Sequence, residues 1–320
     1  MPAGEKFVQM FFAIFAFVAV MGVVLFLADR VRSRRGETIQ TFVFVAPAVF
    51  MIALGLVYPA VKTVYQSFKN SGGNSFVGFD NYKTIFTSSD QLTVLRNTAI
   101  WVIVTPVAAT LIGLVYAVLI DRARVEKLAK ALIFLPMAIS LVGASIIWKF
   151  VYDYRASENA QIGLLNQILK SIGLDTYRFL LTEPWNTFFL IVIMIWVQAG
   201  FAMTVLSASI KAIPDDIVEA ARLDGVSGFR MFRFITVPSI RPALIVVLTT
   251  ISITTLKVFD IVRTTTGGNF NTSVLANEFY TQSFRAFNTG LGAALASMLF
   301  VLIIPIVVYN VRQMRQLESR

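Results

Sequence analysis

Long stretches of apolar sequence without a single charge constrain this chain more than any other feature. Phe7–Ala28, Thr41–Val61, Asn97–Ile120, Asn186–Ile210 and Leu291–Val311 carry no Asp, Glu, Lys or Arg. A helix needs roughly 20 predominantly apolar residues to cross a bilayer. Each run is long enough. Leu132–Tyr152 adds a sixth candidate with one charge, Lys149, and Pro242–Val262 a seventh with two, Lys257 and Asp260. Only 14% of the 320 residues are charged, against about 25% in a soluble domain. The expected fold class is therefore all-α, a polytopic membrane protein of about seven transmembrane helices. Phe7–Ala28 is expected to be an uncleaved anchor rather than a signal peptide, whose apolar core is shorter, about 7–15 residues.

The positive charge of +10 raises nucleic acid as a partner, but its placement favours a bilayer. Sixteen of the 28 basic residues fall in Asp29–Gln40, Asp121–Lys130, Lys211–Arg241 and the C-terminal tail. Ten fall in the alternate segments, spread over longer loops. Short basic loops face the cytoplasm, so the N-terminus is expected outside and the C-terminus inside. On the outer side, Asn81–Phe86 and Ile162–Ile172 read as short amphipathic patches. They suit either interfacial helices or a docking surface.

Several chemistries are excluded. The chain has no cysteine and no histidine, so no disulfide, thiol nucleophile, imidazole base or Cys/His metal centre can form from it. It has no GxxxxGK[ST] phosphate loop. No catalytic, cofactor-binding or metal-binding residue is expected.

One loop has too much structure for a linker. In Lys211–Arg241, Ile213-Pro214-Asp215-Asp216 starts a helix with proline near the first turn and acids at the positive end of the dipole. Ile217, Ala220 and Ala221 follow at helical spacing. Asp224-Gly225 ends the helix, and Gly225 suits a left-handed C-terminal position. Ser227 can cap a second short helix with Phe229 and Phe232 on one face and Arg230 and Arg233 beside them. Pro238 and Pro242 mark the return to the bilayer. Two small residues, Ala220 and Ala221, would let another surface approach, with Glu219 and Arg222 flanking them. An elbow lying on the membrane is the plainer alternative.

Here the chain resembles the permeases of ABC importers. Glu219-Ala220-Ala221, then Gly225, Ile235 and Val237-Pro238 at their spacings are similar to that family's EAA loop, with valine where the family has leucine. Pro59, Ser67-Phe68, Phe76–Tyr82, Leu135-Pro136 and the Phe259…Thr266-Gly267-Gly268 stretch resemble the carbohydrate importers, of maltose, trehalose and α-glucoside type. The resemblance implies residues 1–36 as an N-terminal anchor helix and basic loop, and 37–320 as the transmembrane domain, with 211–241 as its coupling loop. It implies that Glu219, Ala220, Ala221, Arg222, Asp224, Gly225, Ile235 and Pro238 meet a cytoplasmic ATPase. Two such ATPase subunits would hold the ATP and magnesium. A second homologous permease and an extracytoplasmic sugar-binding protein complete the implied assembly.

The resemblance implies a sugar path on the fifth and sixth spans, with Gln198, Gly200 and Phe201 at site positions by their distance from the EAA loop. Trp196, Gln198, Gly200 and Phe201 are candidates on one, and Thr250, Thr254, Lys257 and Asp260 on the other. Trp196 and Phe201 offer aromatic faces; Gln198 and the threonines offer hydrogen bonds. Thr249, Ser252 and Thr255 lie nearby, and any of these hydroxyls can equally serve helix–helix hydrogen bonding. Lys257 and Asp260, three apart, are expected to share a helix face and pair. That pair also leaves open an ion-coupled secondary carrier; a membrane scaffold that moves nothing is the third reading. Gly290, Gly292, Ala293, Ala294, Ala296 and Ser297 read as close-packing positions.

Overall fold

The computed structural model describes residues 3–30, 36–120, 125–156 and 160–318. The basic residues Arg32, Arg34, Arg35, Arg122, Arg124 and Arg320 of the charge argument lie outside them. The chain divides into two compact units, Met1–Tyr65 and Gln66–Arg320.

The first unit holds α1 (Ala3–Arg30), α2 (Gly36–Ile52), a π turn at Ala53–Val57 and α3 (Tyr58–Gln66). The expected first span, Phe7–Ala28, falls within α1. Phe44–Gln66 is 23 residues long and apolar enough to cross a membrane.

The second unit is helical, and its one isolated bridge among the described residues joins Lys69 to Phe76. Its helices are α4 (Asp80–Thr87), α5 (Ser89–Ile120), α6 (Glu126–Phe134), α7 (Leu141–Val151), α8 (Leu164–Ser171) and α9 (Trp185–Lys211). They continue as α10 (Asp215–Leu223), α11 (Gly228–Met231), α12 (Val237–Ser239), α13 (Arg241–Leu256), α14 (Asp260–Thr265), α15 (Leu275–Tyr280) and α16 (Thr289–Glu318). The two amphipathic patches expected in the loops are the helices α4 and α8.

Helix α9 is the hub. At 1.5 Å per residue, its 27 residues extend about 40 Å. Leu190, Ile191, Ile193, Met194, Ala202, Met203 and Leu206 are essentially fully buried, and they point around most of the helix circumference. A helix apolar on all sides belongs at the centre of a bundle. Its buried face joins Trp101 of α5 and Ile261 and Val262 of α14 in one cluster, and Ala109 and Ala117 of α5 with Val247 and Ile251 of α13 in another.

Four helices cross-length and apolar stand uninterrupted among the described residues: Phe44–Gln66, α5, α9 and Thr289–Gln313. The two charge-bearing runs are not straight spans. Leu132–Tyr152 breaks at a 3-10 turn, Leu135–Ala138, with Pro136 near its start. The chain turns by 102° between α6 and α7. Ser140 restarts the helix, its Oγ accepting the Gly143 N–H at 3.1 Å. Pro242–Val262 ends early, because α13 stops at Leu256 and α14 starts anew at Asp260. If the bent pairs Glu126–Ala138 with Leu141–Val151 and Gly228–Ser239 with Arg241–Leu256 each form one span, the described residues hold up to six.

At the end opposite the α10 loop, buried asparagines tie a left-handed loop to the bundle. Asn97 of α5 donates to the carbonyls of Asn271 at 2.6 Å and Ser273 at 3.0 Å. Asn186 of α9 donates to the Phe270 carbonyl at 2.7 Å. Phe270 and Asn271 both have φ near +55°, a conformation unusual for a bulky residue. These bonds are what holds it. Gly290 of α16 is a close approach: a β-carbon there would stand 2.8 Å from the Asn70 carbonyl oxygen. Ala293, Ala294 and Ser297 are buried on the same helix. The small residues of α16 therefore pack within this chain.

Candidate functional site

The chain leaves α9 at Lys211 and enters α10 through Pro214, with Asp215 and Asp216 in the first turn. Helix α10 ends in a Schellman motif. The Val226 N–H donates to the Ala221 carbonyl at 2.9 Å and the Gly225 N–H to the Arg222 carbonyl at 3.0 Å. Gly225 has φ +78°, so the left-handed position expected of it is real. Phe229 and Phe232 meet with ring centroids 6.1 Å apart. A π turn, Phe232–Thr236, carries Ile235 half-buried, and Pro238 opens the short helix α12. The chain then bends by 69° into α13. A cavity of about 280 Å³ lies in the crook of this elbow, lined by Ser209, Ile213, Ile217, Ile240 and Pro242 among others.

Two details differ from expectation. Ser227 stands at the start of α11, but its hydroxyl makes no capping bond; its carbonyl instead accepts from Arg230 and Met231. The two alanines do not share an outward surface. Ala221 is 6% exposed, while Ala220 is exposed. The reason is the helical turn: adjacent residues are about 100° apart, so Ala221 shares the less exposed face with Val218, three positions earlier, while Ile217 is 46% exposed. The outward face carries Glu219, Ala220, Arg222 and Asp224, with Leu223 84% exposed. Phe229 and Phe234 are exposed beside it. The outward face of α10 thus presents one large exposed apolar side chain among charges of both signs.

The expected sugar-path residues separate into groups. Trp196 packs edge-on against Trp148 of α7, centroids 5.8 Å apart. Gln198 is half-buried. Phe201 packs against the α5–α9–α13 cluster. Gly200 is buried against the last turn of α6 and leaves no opening, so it is a packing position rather than a lining one. On α13, Thr250 is exposed, and Thr254 back-bonds to its carbonyl at 2.9 Å. Most hydroxyls of these helices bond their own preceding turn, as in Thr204 to Gly200 and Ser252 to Leu248. Thr249 also accepts from Asn310 of α16, the helix–helix bond expected of one such group.

Lys257 and Asp260 do not pair. Lys257 ends α13 and Asp260 begins α14, with Phe259 at φ −132° between them. The three-residue spacing places two groups on one face only while the helix continues, and here it stops. Neither makes an ion pair among the described residues. Asp260 and Arg263 lie instead beside an aromatic row. Arg263 stacks on Tyr280 at 4.7 Å, and Tyr280 touches Phe259 and Phe284. Lys149 sits in the last turn of α7, away from the middle of any span.

One cluster escaped the sequence reading. Glu126, first residue of α6, accepts from Lys130 at 2.7 Å and from Lys211 of α9 at 2.5 Å. Its i,i+4 spacing to Lys130 was the available signal. The reach to Lys211, 85 positions along, had none.

Comparison with known proteins agrees with this architecture. Residues 92–315 match the family model described as binding-protein-dependent transport system inner membrane component. Over 280 residues the chain is 44% identical to the alpha-glucoside transport system permease protein AglF of Rhizobium meliloti (strain 1021), covering 87% of this chain and 83% of that one. It is 45% identical over 276 residues to the osmoprotective compounds uptake permease protein GgtC of Synechocystis, covering 86% of this chain and 99% of that one. In fold, it superposes on a chain of the bacterial alginate ABC transporter crystallised with an alginate pentasaccharide-bound periplasmic protein. The TM-score is 0.75 at 21% identity, over 90% of this chain and 98% of the other. A bundle of membrane-length helices, an elbow carrying the EAA pattern and a family match over most of its length lead to one conclusion: this chain belongs to the inner membrane components of binding-protein-dependent transport systems.

Proposed function

We propose that the chain is the permease subunit of an ATP-driven sugar importer, moving α-glucosides such as maltose or trehalose by alternating access. The observation that carries this reading is the elbow. Its outward face presents Leu223 among Glu219, Arg222 and Asp224, and its two ends lead into the membrane-length helix α9 and, through a 69° bend, into the apolar helix α13. A cytoplasmic ATPase that grips α10 moves both helices at once. The sugar class is supported by the 44% identity to an α-glucoside permease.

The assembly in this reading contains a second homologous permease, two ATPase subunits that bind ATP and magnesium, and an extracytoplasmic sugar-binding protein. The elbow and the C-terminus face the cytoplasm, and the N-terminus faces outward. ATP closes the ATPase dimer, the elbow follows, and the bundle opens outward to receive sugar. Hydrolysis resets it. Gln198, Phe201, Thr250 and Thr254 are the sugar-facing candidates, with Trp196 behind them and Lys257 and Asp260 at one end of the path.

A second substrate class is favoured by one observation. The 45% identity to an osmoprotective compounds permease makes a small compatible solute the competing cargo of the same machinery. The alternative of an ion-coupled carrier would depend on Asp260 and Lys257, which stand at the ends of two separate helices. The test is uptake by a strain lacking this chain, supplied with radiolabelled maltose, trehalose and an osmolyte. Loss of α-glucoside uptake alone supports the first reading. Loss of osmolyte uptake alone replaces the substrate class, and no loss of either refutes the import role.

A further inference from the structure

Glu126 links two elements that the sequence keeps far apart. Its Oε1 accepts from Lys130 of its own helix at 2.7 Å and from Lys211, the last residue of α9, at 2.5 Å. Lys130 also donates to Ser207 of α9 at 2.5 Å, and Ser207 is buried. Lys211 stands four positions before the elbow helix begins at Asp215. One carboxylate therefore joins the foot of α6 to the root of the elbow.

The opposite end of α6 is fixed differently. There Gly200 lets the backbone of α9 meet Ile133 and Phe134 directly. Helix α6 is thus attached to α9 at Gly200, at Ser207 through Lys130, and at Lys211 through Glu126, the first and last separated by about 16 Å along the helix axis. The upper contact lies against the 3-10 break at Leu135–Ala138. With these attachments in place, α6 moves as a strut of α9. Without Glu126, the first turn of α6 keeps its Lys130–Ser207 bond to α9 but loses its tie to the root of the elbow.

Stability is a poor explanation for the lower contact. The Glu126 side chain is 28% exposed and that of Lys211 49%, and exposed ion pairs add little net stability. What the shared carboxylate supplies is geometry, through charge-assisted bonds that keep direction as well as distance.

We propose that Glu126 is a positioning residue of the transport cycle, transmitting displacement of the elbow to α6 and thence to the break before α7. The inference rests on the ATP-driven reading above. It is tested in the complete assembly, permease pair with ATPase and binding protein, reconstituted in liposomes with matched protein content. Uptake of labelled sugar and ATP hydrolysis are measured on the same preparation. Glu126→Gln should slow uptake about tenfold, within the usual range of a coupling between two sites, with hydrolysis kept within about twofold. The reciprocal exchange Glu126→Lys with Lys211→Glu should restore uptake in part, because the carboxylate moved to position 211 can bridge the ammonium groups at 126 and 130 and so renew the tie between α6 and α9.

Wild-type uptake by Glu126→Gln would overturn the inference. So would a parallel loss of uptake and hydrolysis, or a failure of the exchange to restore transport even in part. A wild-type assembly that moves sugar without ATP would instead remove the ATP-driven reading itself, which separates the two failures.

Discussion

Gly200 of α9 and Ile133 of α6 meet backbone to backbone: a β-carbon on Gly200 would stand 2.5 Å from the Ile133 carbonyl oxygen and 3.0 Å from the Phe134 Cα. Neither atom belongs to a flexible side chain that can swing away. Gly200→Leu should therefore wedge α6 off the hub helix. Overpacking of this kind costs about 1–3 kcal/mol. The expected result is a lower unfolding temperature for the purified permease in detergent; an unchanged temperature would mean that the two helices are not in contact.

The two alanines of the elbow should respond in opposite ways. Ala220 is exposed and Ala221 buried. Ala220→Arg adds bulk and charge to the outward surface and should abolish uptake and ATPase association while the permease inserts and folds normally. Ala221→Arg forces a charge into the buried face of α10 and should reduce the amount of folded protein as well. Copurification of the ATPase, set against the yield of folded permease, distinguishes them. Equal behaviour of the two variants would contradict the facing assigned to α10.

Gly225 ends α10 at φ +78°, a region costing an L-residue roughly 1–2 kcal/mol. Gly225→Val should loosen the Schellman turn and uncouple the two arms of the elbow. Uptake should fall with the bundle intact, as read by thermal unfolding alongside transport. Gly173, also at positive φ but on the loop after α8, is the control: its substitution should leave transport unaffected.

Asn97 supplies two bonds to the loop that carries Asn271 and Ser273. Asn97→Leu leaves those carbonyls without their donor, a loss of about 1–3 kcal/mol. Hydrogen exchange should rise in residues 266–275 and not in α9. Uniform exchange across the bundle would instead indicate global destabilisation.

How much of this was legible depended on whether the deciding interaction was local. The uncharged runs gave α5, α9 and α16 because a membrane helix satisfies its own backbone and needs only length and apolarity. The start of α10 at Pro214-Asp215 and its end at Gly225 were readable for the same reason, since capping chemistry is encoded within a few residues. The burial of Ala221 was not, because it depends on which face of α10 the rest of the chain covers. The Lys257–Asp260 pair was expected on a continuous helix, and the helix ends at Leu256. The 102° bend at Leu135–Ala138 was hidden by a run whose hydropathy is continuous across it; Pro136 was its only local mark. The distance of Gly200 from the EAA loop points to a lining position, and nothing local to a glycine shows that a neighbouring helix's backbone fills the space beside it.

The most direct measurement is sugar accumulation by liposomes holding the permease pair and its binding protein, with and without the ATPase subunits and ATP. Accumulation only when both are present, and its loss in Ala220→Arg, is the predicted result. Accumulation at the full rate without the ATPase, or driven by an imposed ion gradient, would contradict the account of the elbow as the point where an external motor moves this bundle.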